Sequence, residues 1–319
     1  MIMLGLDYAA KHSERQLREA QKLGIRFVVR YLAPEYLHQY KSILKPEAEM
    51  LKSLGLGVVS VYQRRNTQLS DFDLEHARLD ANWARENAQL AGQTDGVIYF
   101  AMDFDAQPKH LPVLQDYVDE VTRLLQDTAY EVGVYGSYRV VEEIDCAHKW
   151  QTYAWSGGRV SRKARFLQCH NGVRFVGGNN DLNVTFDEPG CWVKPQDTSF
   201  PGMPMLQEGM RQWQVSVLQS LLAHEGYDTR GIDADFGPGT DAAVRAYQKD
   251  SGLDVDGIAG KMTWDALIKD AALAPVEELL VKDPSEDVRK LESRVAALEE
   301  GQGNLLDVMQ KIRDALKSV

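Results

Sequence analysis

The chain has 319 residues, 44% of them hydrophobic, enough to bury a large core and to divide into more than one domain. Its 36 basic residues stand against 47 acidic ones for a net charge of -11, which argues against a nucleic-acid partner held through phosphates. Cys146, Cys169 and Cys191 are too few for a disulfide framework and lack the C-x-x-C spacing of a structural zinc site; no apolar run is long enough for a membrane span, and the N-terminus lacks the basic region of a signal peptide, so synthesis in a cytoplasm is expected.

Met3-Leu-Gly-Leu-Asp7 reads as a first strand closed by an aspartate, followed by helical spacing from Ser13 to Leu23 that stops at Gly24. Arg26–Tyr31 is a second strand, Pro46–Leu54 a helix, Gly57–Tyr62 a third strand and Asp73–Leu90 a long helix. Val97-Ile-Tyr-Phe-Ala-Met-Asp-Phe-Asp105 is a buried strand of the parallel-sheet kind, and period-two alternation puts Asp103 and Asp105 on one face at its end. A helix over Leu111–Leu125, a strand over Glu131–Gly136, a helix over Val140–Cys146 and strands over Gln151–Trp155, Arg165–Cys169 and Asn180–Val184 complete the region. Eight strands alternating with helices over about 190 residues predict an α/β fold, a TIM-like (β/α)8 barrel with some later helices reduced or missing. A doubly wound sheet is the competing fold, but no G-x-G-x-x-G loop follows the first strand.

In a closed barrel the first and eighth strands are neighbours and the fourth lies across from them. Asp7, Asp103, Asp105 and Asp181 are therefore expected to meet at the C-terminal mouth, where repulsion and burial would separate their pKa values for acid/base work. Tyr62, Tyr135 and Trp155 sit near strand ends and could offer flat faces to a sugar ring, while Arg30 and Gln168 could orient the acids. A Cys/His site built from Cys146 or Cys169 with His148 or His170 lacks a third group, and no Asp-x-Asp-x-Asp-Gly loop supports a divalent cation. No metal or other cofactor is expected.

The ordered set Gly5-Leu-Asp-Tyr-Ala9, Tyr99-Phe-Ala-Met-Asp-Phe-Asp105, Val132-Gly-Val-Tyr-Gly-Ser137 and Asn179-Asn-Asp-Leu-Asn183 resembles the glycoside-hydrolase-like barrels related to family-25 lysozymes, which cut the glycan of bacterial peptidoglycan. The resemblance covers residues 1–190. It implies Asp105 as proton donor, Asp103 as its neighbour, and Asp7 and Asp181 as the carboxylates that complete the site. The departure is Asp105, which stands where those lysozymes carry glutamate and is one methylene shorter.

Residues 191–208, with Pro195, Pro201, Gly202 and Pro204, read as a linker. Beyond it Asp233-Ala-Asp-Phe-Gly-Pro-Gly-Thr240 is echoed by Asp256-Gly-Ile-Ala-Gly-Lys-Met-Thr263, each with a threonine placed to cap a following helix. This pattern over 209–272 resembles the three-helix peptidoglycan-binding domain of many wall hydrolases. In 283–319 apolar residues from Val288 to Val319 keep 3-4 spacing, which predicts a coiled coil or helical hairpin and a homo-oligomer. The expected whole is a phage-type lysin, released from the host cytoplasm to bacterial peptidoglycan, with no nucleic-acid or membrane partner. The alternative is a catalytically idle, wall-attached or virion structural protein.

Overall fold

The computed structural model of the chain describes residues 1–33, 41–174 and 177–282, with side chains as far as 273. Eight strands close into one barrel in chain order: β1 (Leu4–Asp7), β2 (Ile25–Leu32), β3 (Gly57–Tyr62), β4 (Gly96–Ala101), β5 (Tyr130–Gly136), β6 (His148–Thr152), β7 (Phe166–Val173) and β8 (Asn180–Thr185). The first seven pair in parallel, but β8 runs antiparallel to both β7 and β1. The all-parallel (β/α)8 expectation is corrected at this point. Only the stretch 174–179 joins β7 to β8, and a parallel return needs a crossover of a dozen or more residues.

Alternation along the strands sends one set of side chains into the barrel. Phe27, Tyr99, Trp150 and Phe166 fill its centre, Trp150 stacked on Phe166 at 5.0 Å and Tyr99 set edge-on to Phe166 at 5.4 Å. Room for these rings comes from two glycines. A Cβ on Gly5 would lie 2.3 Å from Phe27 Cζ, and one on Gly133 would lie 2.6 Å from Tyr99 Cδ1.

The outward set packs beneath α1 (Glu14–Lys22), α2 (Lys45–Ser53), α3 (Leu74–Ala91), α4 (Leu111–Leu125) and α5 (Tyr138–Glu143). Local chemistry sets their ends: Ser13 and Gln16 form a capping box at α1, Asp73 accepts the His76 N–H at α3, and Gly92 closes α3 at φ 84°. The buried alanines Ala77, Ala81, Ala84, Ala88 and Ala91 let α3 approach the sheet closely.

No helix lies between β6 and β8 among the described residues, so the outer face of β7 needs cover from elsewhere. It comes from α6 (Trp213–His224), the first helix of a second unit that continues with α7 (Pro238–Asp250) and α8 (Lys261–Lys282). Ser216 and Ser220 of α6 lie beside the buried Cys169 thiol of β7, His224 stacks on Phe186 at 3.9 Å, and Arg162 pairs with Glu225 at 3.3 Å. Apolar residues of both units form one continuous core. This explains why α6 is buried nearly all round, Val217, Leu218, Leu221 and Leu222 included.

The stretch expected to be a linker packs as well. β3 pairs with β4 only from Ser60 onward, leaving the Val58 backbone free at the bottom of the barrel, and Trp192 and Val193 hydrogen-bond to it there. Arg26 pairs with Asp197 at 3.0 Å and holds the next residues down. The coiled coil expected over 283–319 lies outside the described residues.

Candidate active site

At the mouth, the inward positions carry polar side chains where the centre carries rings. Asp7 is the last residue of β1 and pairs in register with Asp181 of β8. Because β8 runs backwards, its start lies beside the end of β1. A parallel eighth strand would have put Asp181 at the opposite end of the barrel. Gln168 Nε2 donates to Asp7 Oδ2 at 2.9 Å and to Asp181 Oδ2 at 3.3 Å, and Asn183 Nδ2 donates to Asp7 Oδ2 at 2.8 Å. Asp181 also accepts the Gly172 N–H at 2.9 Å. Asp103, two residues past β4, keeps its inward phase and accepts from Gln63 Nε2 at 3.0 Å.

Each of the three carboxamides is held with its NH2 towards a carboxylate by a donor on its oxygen. Tyr135 Oη and Thr152 Oγ1 donate to Gln168 Oε1 at 2.8 and 3.1 Å, Trp150 Nε1 donates to Asn183 Oδ1 at 2.9 Å, and Lys41 Nζ donates to Gln63 Oε1 at 2.6 Å. Burial and the nearby Asp181 charge push the Asp7 carboxyl up to about 8, against the pull of its two amide donors. Burial also raises Asp103 and Asp181, the latter further through the Asp103 charge, while Gln63 and Lys41 favour ionised Asp103. Lys41, 3.8 Å over the Tyr31 ring, is itself lowered to about 8 by burial, against the pull of Asp103 and Asp7. The site thus gathers three carboxylates around a single mouth, all of them pushed by burial towards their protonated forms.

Two family signatures match the chain. Residues 18–189, more than half the chain, match the Rv2525c-like, glycoside hydrolase-like domain. The chain belongs to that family. Residues 211–267 match a peptidoglycan binding domain. The crystal structure of the Mycobacterium tuberculosis Tat-secreted protein Rv2525c in complex with L-tartrate shares the fold with a TM-score of 0.52 and 24% identity, over 60% of this chain and 98% of that one. The second unit is similar to the spore cortex-lytic enzymes of Bacillus cereus (42% identical) and Oceanobacillus iheyensis (37% identical), each over 65 residues and 20% of this chain. Those matches span 25% and 24% of the relatives' own length.

In the Rv2525c-like barrel the expected site residues separate into three groups. Asp7, Asp103, Asp181, Gln168 and Tyr135 meet at the mouth. Asp105 does not join them: β4 ends at Ala101, the chain bends at Phe104, whose ring packs 5.7 Å from Phe72, and Asp105 is left exposed at the rim. Among the described residues its carboxylate takes no hydrogen bond. Trp155 is 48% exposed on the loop after β6, a strand that ends at Thr152 and not at Trp155 as its sequence suggested.

Tyr62 and Arg30 require correction as substrate contacts, because both are completely buried and turned outward from the barrel. Tyr62 donates to Asp80 of α3 at 2.9 Å, and Arg30 pairs with Glu47 of α2 at 2.8 Å while its Nη1 donates to the Tyr8 carbonyl at 2.5 Å. Sequence reasoning missed Gln63, Asn183 and Lys41. Alternation carried one step past Tyr62 and two past Asp181 points to the first two, whereas Lys41 arrives from a loop and leaves no such signal.

The echoed turns of the peptidoglycan-binding domain prove to be one device used twice. Gln219 Nε2 donates to Asp233 Oδ1, the Asp235 carbonyl and Thr240 Oγ1, while its Oε1 accepts from the Asp233 and Ala234 N–H groups. Gln248 does the same with Asp256, Ile258, Thr263 and Gly257. The two threonines lie inside their helices, buried against these glutamines, and are not the caps expected of them; α7 starts at Pro238 and α8 at Lys261.

Proposed function

We propose that the barrel hydrolyses the β-1,4 bonds between amino sugars in bacterial peptidoglycan, lysozyme-fashion, while the second domain holds the protein on the wall. The supporting observation is the Asp7–Asp181 pair facing Asp103 across one mouth. Two carboxylates that share a buried, amide-lined position titrate as a unit, so the pair carries a proton at neutral pH. Asp181, the less buried partner, is placed to deliver that proton to the glycosidic oxygen. Asp103, raised by burial but drawn back towards its ionised form by Gln63 and Lys41, is placed to stabilise the oxocarbenium-like carbon or to orient the substrate's own N-acetyl group. The family resemblance puts the proton donor at Asp105; our reading gives that role to the pair, supported by the exposure of Asp105 and the burial of Asp7 beside Asp181.

Purified wall glycan, digested and read by mass spectrometry for new reducing ends, tests both points. Asp103→Asn and Asp181→Asn are expected to lower turnover at least 100-fold, and Asp105→Asn by less than about fivefold. Loss of activity in Asp105→Asn alone would return the proton to the rim. The exposed Asp105 also favours a second reading, a wall-attached barrel that cuts nothing. A wild-type chain that is retained on walls but leaves no clear band in a zymogram would establish it.

A further inference from the structure

The loop that follows β6 is unusual in its backbone and in what it displays. Trp155 adopts φ 53°, a left-handed conformation that bulky residues rarely take, and Gly157 and Gly158 follow at 60° and 75°. The loop is held there firmly. Buried Ser156 donates to the Thr152 carbonyl at 2.6 Å and accepts the Tyr138 N–H at 2.9 Å, and the Ala154 N–H donates to Thr152 Oγ1 at 3.2 Å. Thr152 Oγ1 is the hydroxyl that helps fix Gln168 beneath the acid pair. An over-determined, strained segment tied to a candidate active site is where function is to be sought. What it presents is the most exposed tryptophan among the described residues.

The same loop abuts the second domain. A Cβ on Gly158 would lie 3.0 Å from Gly231 Cα, so the two backbones touch, and Arg162 and Glu225 pair beside them. The adjoining turn, residues 228–231, exposes Asp228 and Arg230, an acceptor and a donor set suited to sugar hydroxyl and N-acetyl groups.

We propose that Trp155 and the 228–231 turn form one surface for the glycan strand at the β6 rim of the mouth, so that barrel and wall-binding domain grip a single strand in fixed register. An aromatic face suits the C–H side of a pyranose, and polar groups one step along suit its hydroxyls. The inference rests on the glycan-hydrolase reading for its substrate class. It adds that the second domain acts as part of the substrate cleft and not as a tethered anchor.

The test uses the full chain carrying Asp103→Asn and wall glycan strands stripped of peptide, followed by hydrogen–deuterium exchange. Protection of both 153–160 and 228–231 is expected. Protection of 153–160 alone, or of neither, overturns the shared surface. In the same background Trp155→Ala is expected to weaken strand binding about tenfold and Trp155→Phe far less; equal binding by Trp155→Ala would count against the platform, and protection only by peptide-bearing wall would assign the surface to the stem peptide instead. Cleavage by the wild-type chain is scored separately, so a barrel that grips without cutting is distinguished from one that does not grip at all.

Discussion

Asp7 and Asp181 face each other across the antiparallel pairing of the first and last strands, and one nitrogen, Nε2 of Gln168, donates to both. Keeping two acids this close is unfavourable unless one of them holds a proton. The folded chain holds on Asp7 a proton that the unfolded chain releases above its ordinary value of 3.8, and keeps it until about 8. Across that window the unfolded state binds fewer protons, so this group's contribution to stability falls as pH rises. Asp7→Asn removes the titration while keeping a neutral acceptor for Gln168 and Asn183. Its melting temperature is expected to exceed wild type by about 3 °C or more at pH 8 and to match it near pH 4, as calorimetry would show.

Tyr135 acts on the acids through Gln168, whose amide it orients. Tyr135→Phe leaves the ring in place and lets the amide turn. Turnover of wall glycan is expected to drop roughly 10- to 100-fold, with retention on walls unchanged. A fall in retention instead would make Tyr135 a binding residue.

The duplicated turns of the wall-binding domain differ at one telling position. Ala234 sits at φ 62° where its counterpart Gly257 sits at φ 73°. Ala234→Gly relieves the strained backbone and is expected to be neutral or stabilising, by up to about 1 kcal/mol. Gly257→Ala adds that strain and drives a Cβ to 2.2 Å from Asp241 Oδ1, displacing the Asp241–Arg245 ion pair. It is expected to destabilise by about 1–2 kcal/mol in urea melts. Destabilisation by Ala234→Gly as well would show that the two turns are not equivalent.

Shared burial couples the two domains. Ser220 of α6 is fully buried against β7 and donates to the Ser216 carbonyl at 2.6 Å. Ser220→Asp places an unpaired charge there, expected to cost about 3–5 kcal/mol. Wild type is expected to melt in one calorimetric transition, and the variant to lose barrel and module signals together. Two well-separated wild-type transitions would show that the contact is loose.

Period-two alternation made most of the acid layer legible in the sequence. Asp7, Asp103, Gln168 and Asp181 all lie on the inward phase of their strands. The errors arose where both phases are apolar or the strand stops early. Gly57–Tyr62 is buried on both faces, so nothing in it shows that Tyr62 points away from the mouth. Arg30 finds Glu47 on a different element, a partner that strand periodicity cannot supply. Asp105 fell outside because pairing ends at Ala101, which the apolar run itself does not signal. The direction of β8 was readable in principle, since too few residues separate it from β7 to return in parallel.

The helix that closes the outer wall over β7 belongs to another module, and this bears on how such chains can be recombined. Grafting a different wall-recognition unit onto this barrel, or moving this one elsewhere, would strip a shingle from the cylinder and leave Leu167 and Cys169 wet on one side and α6 half bare on the other. A workable chimera must move the barrel and the second unit together, because α6 also carries Gln219, on which the first turn of its own unit is built.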